Sequence, residues 1–377
     1  MTLRESAQIP CLLGQIRRSV TAVVPWSPSL TRNKTMWAAA NLVMHALRHA
    51  HDHIPYPKSL TLPIQSSDIA PLSPSRRSAS GFARRQVTAL ATHALVRTMI
   101  RDEWHVAYRA RQRDVEFGQG SGYRLLQAPP GHSYADPLLF EWNNSHWLFL
   151  EDFVHANHRA RIVGLDLANV TTPGNHIVPV LETSYHLSYP FIFNVGAEVF
   201  LIPESGDTKT VGLYRAVSFP DRWENLGPIL SNLWCSDATL TRYDGLFWLF
   251  VTLARTGMHP SDELHLYFSA DLLGPWEPHH MNPIVSDVRA GRAAGRLFLR
   301  EGKLIRPAQD SSYRYGRAIN FQAIRVLSTT DYREDTVATL DSTHLDAIAV
   351  HTYSYDDQYE VVDLLKPRVR WRHLYRG

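Results

Sequence analysis

From Trp104 onward the apolar residues fall in short runs or in strict alternation, broken by Gly, Pro, Asn and Asp. That is the period of strands, not of helices. The runs also repeat. Asp136 to Phe140 is followed by a turn and then Trp147 to Leu150. Tyr189 to Phe193 is followed by a turn at Gly196 and then Val199 to Ile202. Asp237 to Leu240 leads through Asp244-Gly245 into Phe247 to Val251, and Gly295 to Phe298 leads through Glu301-Gly302 into Lys303 to Ile305. A fainter fifth unit runs from Ala347 to Val350, turns at Asp356-Asp357 and resumes at Tyr359 to Val362. Units of strand, turn and strand recurring about every 50 residues predict the blades of a propeller. Later strands of the first four blades are expected at Ala160 to Leu165, Thr210 to Ala216, Glu263 to Ser269 and Arg317 to Leu327. Trp104 to Ala110 can pair with the last blade and close the ring, which removes exposed sheet edges. A β-sandwich would lack the long self-similarity, and a parallel α/β fold would need helical patterns between the strands.

The first hundred residues follow a different pattern. Thr35 to His49 places Trp37, Ala40, Leu42, Val43, Ala46 and Leu47 at helical spacing. A Pro- and Ser-rich stretch from Ile54 to Gly81 reads as a linker. Phe82 to Ile100 then carries Val87, Leu90, Ala91, Ala94, Leu95 and Met99 on one helical stripe. The expected architecture is an all-β, five-bladed β-propeller over residues 104–377, with a short α-helical N-terminal extension over residues 1–103.

Composition narrows the function classes. The 377 residues hold 39 Lys and Arg against 36 Asp and Glu, a formal net charge of +3. Bulk charge therefore gives no reason to expect nucleic-acid binding. The basic tail Lys366 to Arg376 reads as a solvated terminal strand. Two distant cysteines, Cys11 and Cys235, make no disulfide framework. No apolar run approaches the ~18 residues of a membrane span, and charges interrupt the N-terminus where a secretory signal would be apolar. The default expectation is a cytoplasmic setting. Ten Trp, sixteen Tyr and fourteen Phe suit strands and also suit stacking on sugar rings. His49, His51 and His53 invite a metal reading but have no partner cluster in the sequence, so no metal and no cofactor is expected.

In a propeller the first strand of every blade lines the central channel, so the start of that strand aims at the mouth of one pocket. Asp136, Tyr189, Asp237 and the stretch from Arg292 to Arg296 occupy that position, with His344 and His351 flanking it in the fifth blade. Aspartate beside Pro or a turn also caps backbone amides, so each alone has a structural explanation. Glu151 and Asp152 end the second strand of blade one, at the rim or facing a ligand. Arg306 and Asp310 can bind a sugar or phosphate, or brace blade four as a buried pair.

Several phrases carry a family resemblance. Tyr134 to Phe140 (YADPLLF), His186 to Phe193 (HLSYPFIF), Ile202 to Glu204 (IPE), Leu272 to Trp276 (LLGPW) and Ile305 to Asp310 (IRPAQD) resemble the N-terminal domain of glucosamine inositolphosphorylceramide transferases. That domain is similar to the five-bladed propeller of family 43 glycoside hydrolases. The resemblance spans roughly residues 104 to 365. It implies a general base at Asp136, which stands in the matching Asp-Pro context, and leaves Asp237 and Glu204 as candidates for the tuning carboxylate and the general acid. Substrate contacts are expected from Tyr189, Arg292, Arg296, Arg306, Asp310 and His351. Where those hydrolases carry an Asp in blade two, this chain has Tyr189. In the plant transferases the resemblance places sugar transfer in a separate C-terminal domain. Three readings stay open: a glycan-processing enzyme, a non-catalytic glycan-binding propeller, and a scaffold whose N-terminal helix docks a protein partner. The first two expect a glycan or sugar-containing small molecule as the ligand; the third expects a separately encoded catalytic partner.

Overall fold

The computed structural model describes residue 21, residues 28–51, parts of 81–92, and 100–369 apart from 113–114, 116, 170–176 and 255–259. Cys11, His53, most of the Pro- and Ser-rich linker and the tail beyond Val369 lie outside the described residues.

Helix α1 (Pro28–His51) starts seven residues before the periodic stretch. Pro28 occupies its first position, where a missing N–H costs nothing. The helix leaves Leu30, Met36, Trp37, Val43 and Met44 exposed while Ala38 is buried. Helical residues recur between 81 and 92, but Ile100, expected to end that helix, already belongs to a strand. No helix among the described residues is long and apolar enough to cross a membrane.

The rest is five antiparallel sheets in a ring. Strands β1 (Ile100–Ala110) and β2 (Arg124–Leu125) come first in the chain but belong to the last blade. Blade one is β3 (His132–Trp142), β4 (Ser145–Val154), β5 (Arg159–Asp166) and β6 (Val178–Leu181). Blade two is β7 (Ser188–Val195), β8 (Glu198–Glu204), β9 (Thr210–Ser218) and β10 (Arg222–Ser231). Blade three holds β11 (Cys235–Tyr243), β12 (Leu246–Leu253), β13 (Glu263–Ser269), β14 (Glu277–Pro278) and β15 (Val285–Ser286). Blade four holds β16 (Arg292–Ala293), β17 (Phe298–Arg300), β18 (Lys303–Asp310), β19 (Ala318–Leu327) and β20 (Tyr332–Asp341). Strands β21 (Tyr353–Tyr355) and β22 (Tyr359–Val369) complete blade five, where β1 pairs with β22 from Ile100↔Val369 to Ala110↔Tyr359. The two ends of the propeller sequence thus share one sheet, and the ring has no free edge at its seam.

Five apolar clusters fill the five gaps between neighbouring blades. Phe149 and Ile162 meet Ile192 and Leu201 between blades one and two. Phe191 and Ile202 meet Leu240 and Leu249 between two and three. Trp248 and Leu266 meet Leu304 and Ile324 between three and four. Phe321 meets Val362 between four and five, and Val106 meets Leu148 and Leu150 between five and one. Every seam is filled by apolar side chains, so burial holds the blades together around the whole circle.

The start of the innermost strand is irregular in the first three blades in the same way. The register slips between Ala135 and Leu138, between Ser188 and Phe191, and between Ser236 and Thr239. At each slip one residue is left-handed: Asp136 (φ 50°), Tyr189 (φ 40°) and Asp237 (φ 49°). Such bulges re-aim a side chain or an N–H out of the ladder. Aspartate tolerates that conformation; for Tyr189 it is strained, at a cost of about 1–3 kcal/mol. In blade four the expected strand from Gly295 to Phe298 is interrupted. Gly295 has φ 132°, and a Cβ there would lie 2.0 Å from the Tyr353 carbonyl oxygen. Only glycine allows blade five to approach that closely.

Candidate functional site

The bulged N–H groups face the axis, and in most blades a polar side chain from another blade receives them. Asp363 Oδ2 accepts from Asp136 N (3.1 Å), Asp136 Oδ2 from Tyr189 N (3.0 Å), and Glu204 Oε2 from Asp237 N (3.0 Å). The Tyr189 hydroxyl accepts from Gly295 N (3.1 Å) and bonds to Thr239 Oγ1 (2.8 Å). These bonds explain why acids stand at the blade starts: buried, re-aimed amides need acceptors.

Above this ring, at the start of the innermost strands, opens a pocket of about 390 Å³. Asp136, Glu151, Glu204, Arg292 and His351 reach it, with Asp102 and Glu103 from β1. Trp104, Phe153 and Tyr315 supply aromatic surface, and Ser133, His155, His186 and Ser188 complete much of the lining. Seven carboxylates, Asp237 and Asp363 included, stand in or just under the pocket around two cations that are already engaged: Arg292 grips Asp237 through Nε (2.5 Å) and Nη2 (3.2 Å), and His351 lies between Asp136 (Nε2 to Oδ1, 3.0 Å) and Asp363 (Nδ1 to Oδ2, 2.7 Å).

The acids differ in proton affinity. Burial works to raise the Asp136 carboxyl, but the His351 cation, Arg292 and the Tyr189 N–H outweigh it and hold the group below the usual carboxylate range. Burial also opposes the His351 charge, yet Asp363 and Asp136 together lift it to about 10. Glu204 goes the other way. Burial and the neighbouring Asp237 carboxylate push it well above its ordinary value, against the partial relief of Arg292 at 3.6 Å. Glu151 is raised by burial, with the Asp136 charge adding to it and His186, 3.4 Å away, offsetting part. Ala160 N–H donates to His186 Nδ1, so the proton of that ring sits on Nε2, facing Glu151. Asp136 also accepts from Thr352 Oγ1 (3.1 Å). With Tyr189 N and His351 that fills three of its roughly four acceptor positions, and the free one is on Oδ2.

The structure therefore brings Asp136, Glu204, Arg292 and His351 into one pocket and leaves the other expected site residues elsewhere. Asp237 is buried beneath Arg292, with Gln309 Nε2 at 3.3 Å from its Oδ2. Tyr189 is wholly buried and spans blades two, three and four. Arg306 is buried against Glu334 (Nη2 to Oε1, 2.6 Å) and the Ala290 carbonyl. Asp310 pairs with Arg317 at 2.8 Å and caps Ser312 N. Arg296 lies at the opposite end of the axis. Of the pair ending β4, Glu151 faces the pocket and Asp152 is buried between His132 and Arg161. His186 stood in the quoted phrase HLSYPFIF, but nothing in its spacing pointed to the pocket. Trp104, Tyr315 and His155 come from loops and from the closing strand, where the blade repeat gives no register.

Two His and Asp groups are close enough to hold a cation among the described residues: Asp136, His351 and Asp363, and His146, Asp356 and Asp357. In the first, both ring nitrogens already face carboxylates, so the imidazole is itself the cation. In the second, Asp356 Oδ1 caps Gln358 N and Tyr359 N while Oδ2 meets His146 at 2.7 Å.

Comparison with known proteins adds sequence kinship to this geometry. The family described as "Glucosamine inositolphosphorylceramide transferase 1, N-terminal" matches residues 126–350. Glucosamine inositolphosphorylceramide transferase 1 of Oryza sativa subsp. japonica is 36% identical over 208 residues, covering 54% of this chain and 28% of the rice protein. The Arabidopsis thaliana protein of the same name is 32% identical over 208 residues, covering 54% of this chain and 27% of its own length. The chain thus spans little more than a quarter of these relatives. Among solved structures, Zg3597, a family 117 glycoside hydrolase of Zobellia galactanivorans, aligns with a TM-score of 0.45 at 12% identity, covering 69% of this chain and 90% of that one. The GH43 protein BlXynB of Bacillus licheniformis aligns with a TM-score of 0.42 at 15% identity, covering 55% and 45%.

Proposed function

The chain belongs to the glucosamine inositolphosphorylceramide transferase 1 N-terminal family, and from that premise we propose that its acidic axial pocket recognises a sugar-containing ligand. One observation carries the proposal. A single open cavity combines the aromatic faces of Trp104 and Tyr315 with fixed acceptors and donors at Asp136, Glu204 and Arg292. Sugar sites pair these two elements: an apolar ring face stacks while the hydroxyls find directed polar partners. The relatives' name concerns a glucosamine and an inositolphosphorylceramide, which agrees with a glycan or glycolipid head group as ligand class.

A second reading, glycan processing, has its own support in the opposite pKa shifts of Asp136 and Glu204. A carboxyl held below the usual range and another held above it, facing one ligand, suit base and acid catalysis at an anomeric centre. In that chemistry Asp136 Oδ2, with its one free acceptor position, takes a proton from water, and Glu204 delivers one to the leaving oxygen. Tyr189, buried and bonded on both sides, contributes no third carboxylate.

A glycan array on the folded chain tests recognition; absence of binding to any glycan would overturn it. Turnover of aryl glycosides and activated sugars, compared between wild type and Asp136→Asn, tests processing. A general base is worth about 10²–10⁴-fold, so equal turnover in the variant would leave recognition alone standing.

A further inference from the structure

Arg296 is half-buried, and it differs from the other arginines in the interior of this propeller. Arg109 pairs with Glu360, Arg292 with Asp237 and Arg306 with Glu334, each at 2.6 Å or closer. Arg296 has no ion pair among the described residues. One nitrogen, Nη2, donates to the Ile192 carbonyl, and the guanidinium lies over the Phe191 ring at 4.9 Å. Four of the five N–H donors of a guanidinium have no acceptor among the described residues. Burial with no compensating carboxylate pulls its pKa down to about 10, the sign of a cation kept where water alone solvates it poorly.

That guanidinium lines a second cavity, of about 230 Å³. Val195 in its wall ends β7 and Gly196 belongs to the β7–β8 turn, while Thr241 and Arg242 lie at the far end of β11. The acidic pocket is built at the opposite ends of the same two strands, by Ser188 and by Asp237 beneath Arg292. Arg242, exposed at the rim over the Phe247 ring at 5.5 Å, likewise has no ion pair among the described residues. Two guanidinium groups from different blades thus converge on a small cavity whose lining contains no carboxylate.

We propose that this second axial cavity is a binding site for a tetrahedral oxyanion of the phosphate class, held by Arg296 from within and Arg242 from the rim. Guanidinium groups bind such oxygens through paired, charge-assisted hydrogen bonds, and two of them approaching from different strands can engage different oxygens of one phosphoryl group. The ligand supplies the negative charge that the fold leaves out beside Arg296.

Calorimetry and 31P line-broadening of the full chain with inorganic phosphate test the site, with glycerol 3-phosphate as a second arm and glycerol as a neutral control. Saturable binding of phosphate is expected, weakened about tenfold or more by Arg296→Gln and about threefold by Arg242→Gln. Tighter binding of glycerol 3-phosphate than of phosphate would assign the site to a phosphorylated ligand, and equal affinity to the free anion. No saturable binding of either up to ~50 mM, a range weaker than any specific site, overturns the proposal. Unchanged affinity in a cooperatively unfolding Arg296→Gln protein does the same. If that variant fails to fold, Arg242→Gln decides, because Arg242 is exposed: equal affinity with wild type overturns the proposal.

Discussion

The two ends of the propeller axis handle buried charge in opposite ways. At the acidic end each cation is caught between carboxylates: Arg292 on Asp237, and His351 between Asp136 and Asp363. At the basic end Arg296 has an aromatic face and one carbonyl, but no counter-charge among the described residues. The first arrangement is a closed electrostatic network that also accepts the bulged backbone N–H groups of several blades, so charge and fold are held by the same atoms. The second is an open cation whose solvation is incomplete. A cation with its counter-charge in place offers no opening for an anion, whereas a cation lacking one is where an anionic ligand has something to add.

The largest expected effect is on the closed end. Asp363 accepts from His351 N (3.0 Å), Thr352 N (2.9 Å) and Asp136 N (3.1 Å), and it faces the His351 ring. Asp363→Ala strands three buried amides and one imidazolium. Its cost should reach about 3–5 kcal/mol in denaturant unfolding. A loss below ~1 kcal/mol would mean that the seam between blades five and one does not depend on this network.

The pH dependence follows from the same clamp. The His351 pKa stands at about 10 in the folded chain, above its ordinary 6.5. Its stabilising contribution is therefore complete below pH 6.5 and is lost as the pH rises towards about 10. Wild type should lose stability across that interval, and His351→Gln should lose less. Parallel curves for the two proteins would show that the ring is not held as a cation.

Tyr189→Phe removes one hydroxyl that serves Thr239 and the buried Gly295 N–H. Leaving those groups without a partner should cost about 1–3 kcal/mol. A neutral substitution would mean that water can reach the axis beneath the pocket.

The propeller was legible in the sequence because its signals are local. Turn residues at Asp244-Gly245 and Glu301-Gly302 take the left-handed conformations that two-residue hairpins need, and the apolar alternation on either side of them sets the strands. Asp136 was legible for the same reason, since it lies at a repeated blade position beside a proline. What the repeat could not supply was direction. Tyr189 and Asp237 occupy the matching position, but their side chains turn into the wall, because bulge geometry and bonds to other blades decide where they point. Glu151, Trp104 and Tyr315 reach the pocket from a second strand, the closing strand and a loop, none of which shares that register. Arg292 and Arg296 are four residues apart in sequence yet serve opposite ends of the axis, a separation created by the interrupted strand at Gly295.

The smallest expected effect sharpens the comparison most. Arg296→Met replaces a half-buried cation by an apolar side chain of similar length that can still cover Phe191. At the acidic end the equivalent truncation leaves carboxylates unpaired; here it leaves one carbonyl, Ile192 O, short of one donor. The lost hydrogen bond is worth about 1 kcal/mol, while relief of the desolvated charge and better apolar contact act in the other direction. The net change in unfolding free energy should fall within about 1 kcal/mol of zero, measured without phosphate. A loss as large as that of Asp363→Ala would mean that Arg296 is a structural strut like Arg306, and the contrast between the two ends would collapse. A near-neutral result means that the fold tolerates this cation without relying on it, which leaves ligand binding as the property for the substitution to remove.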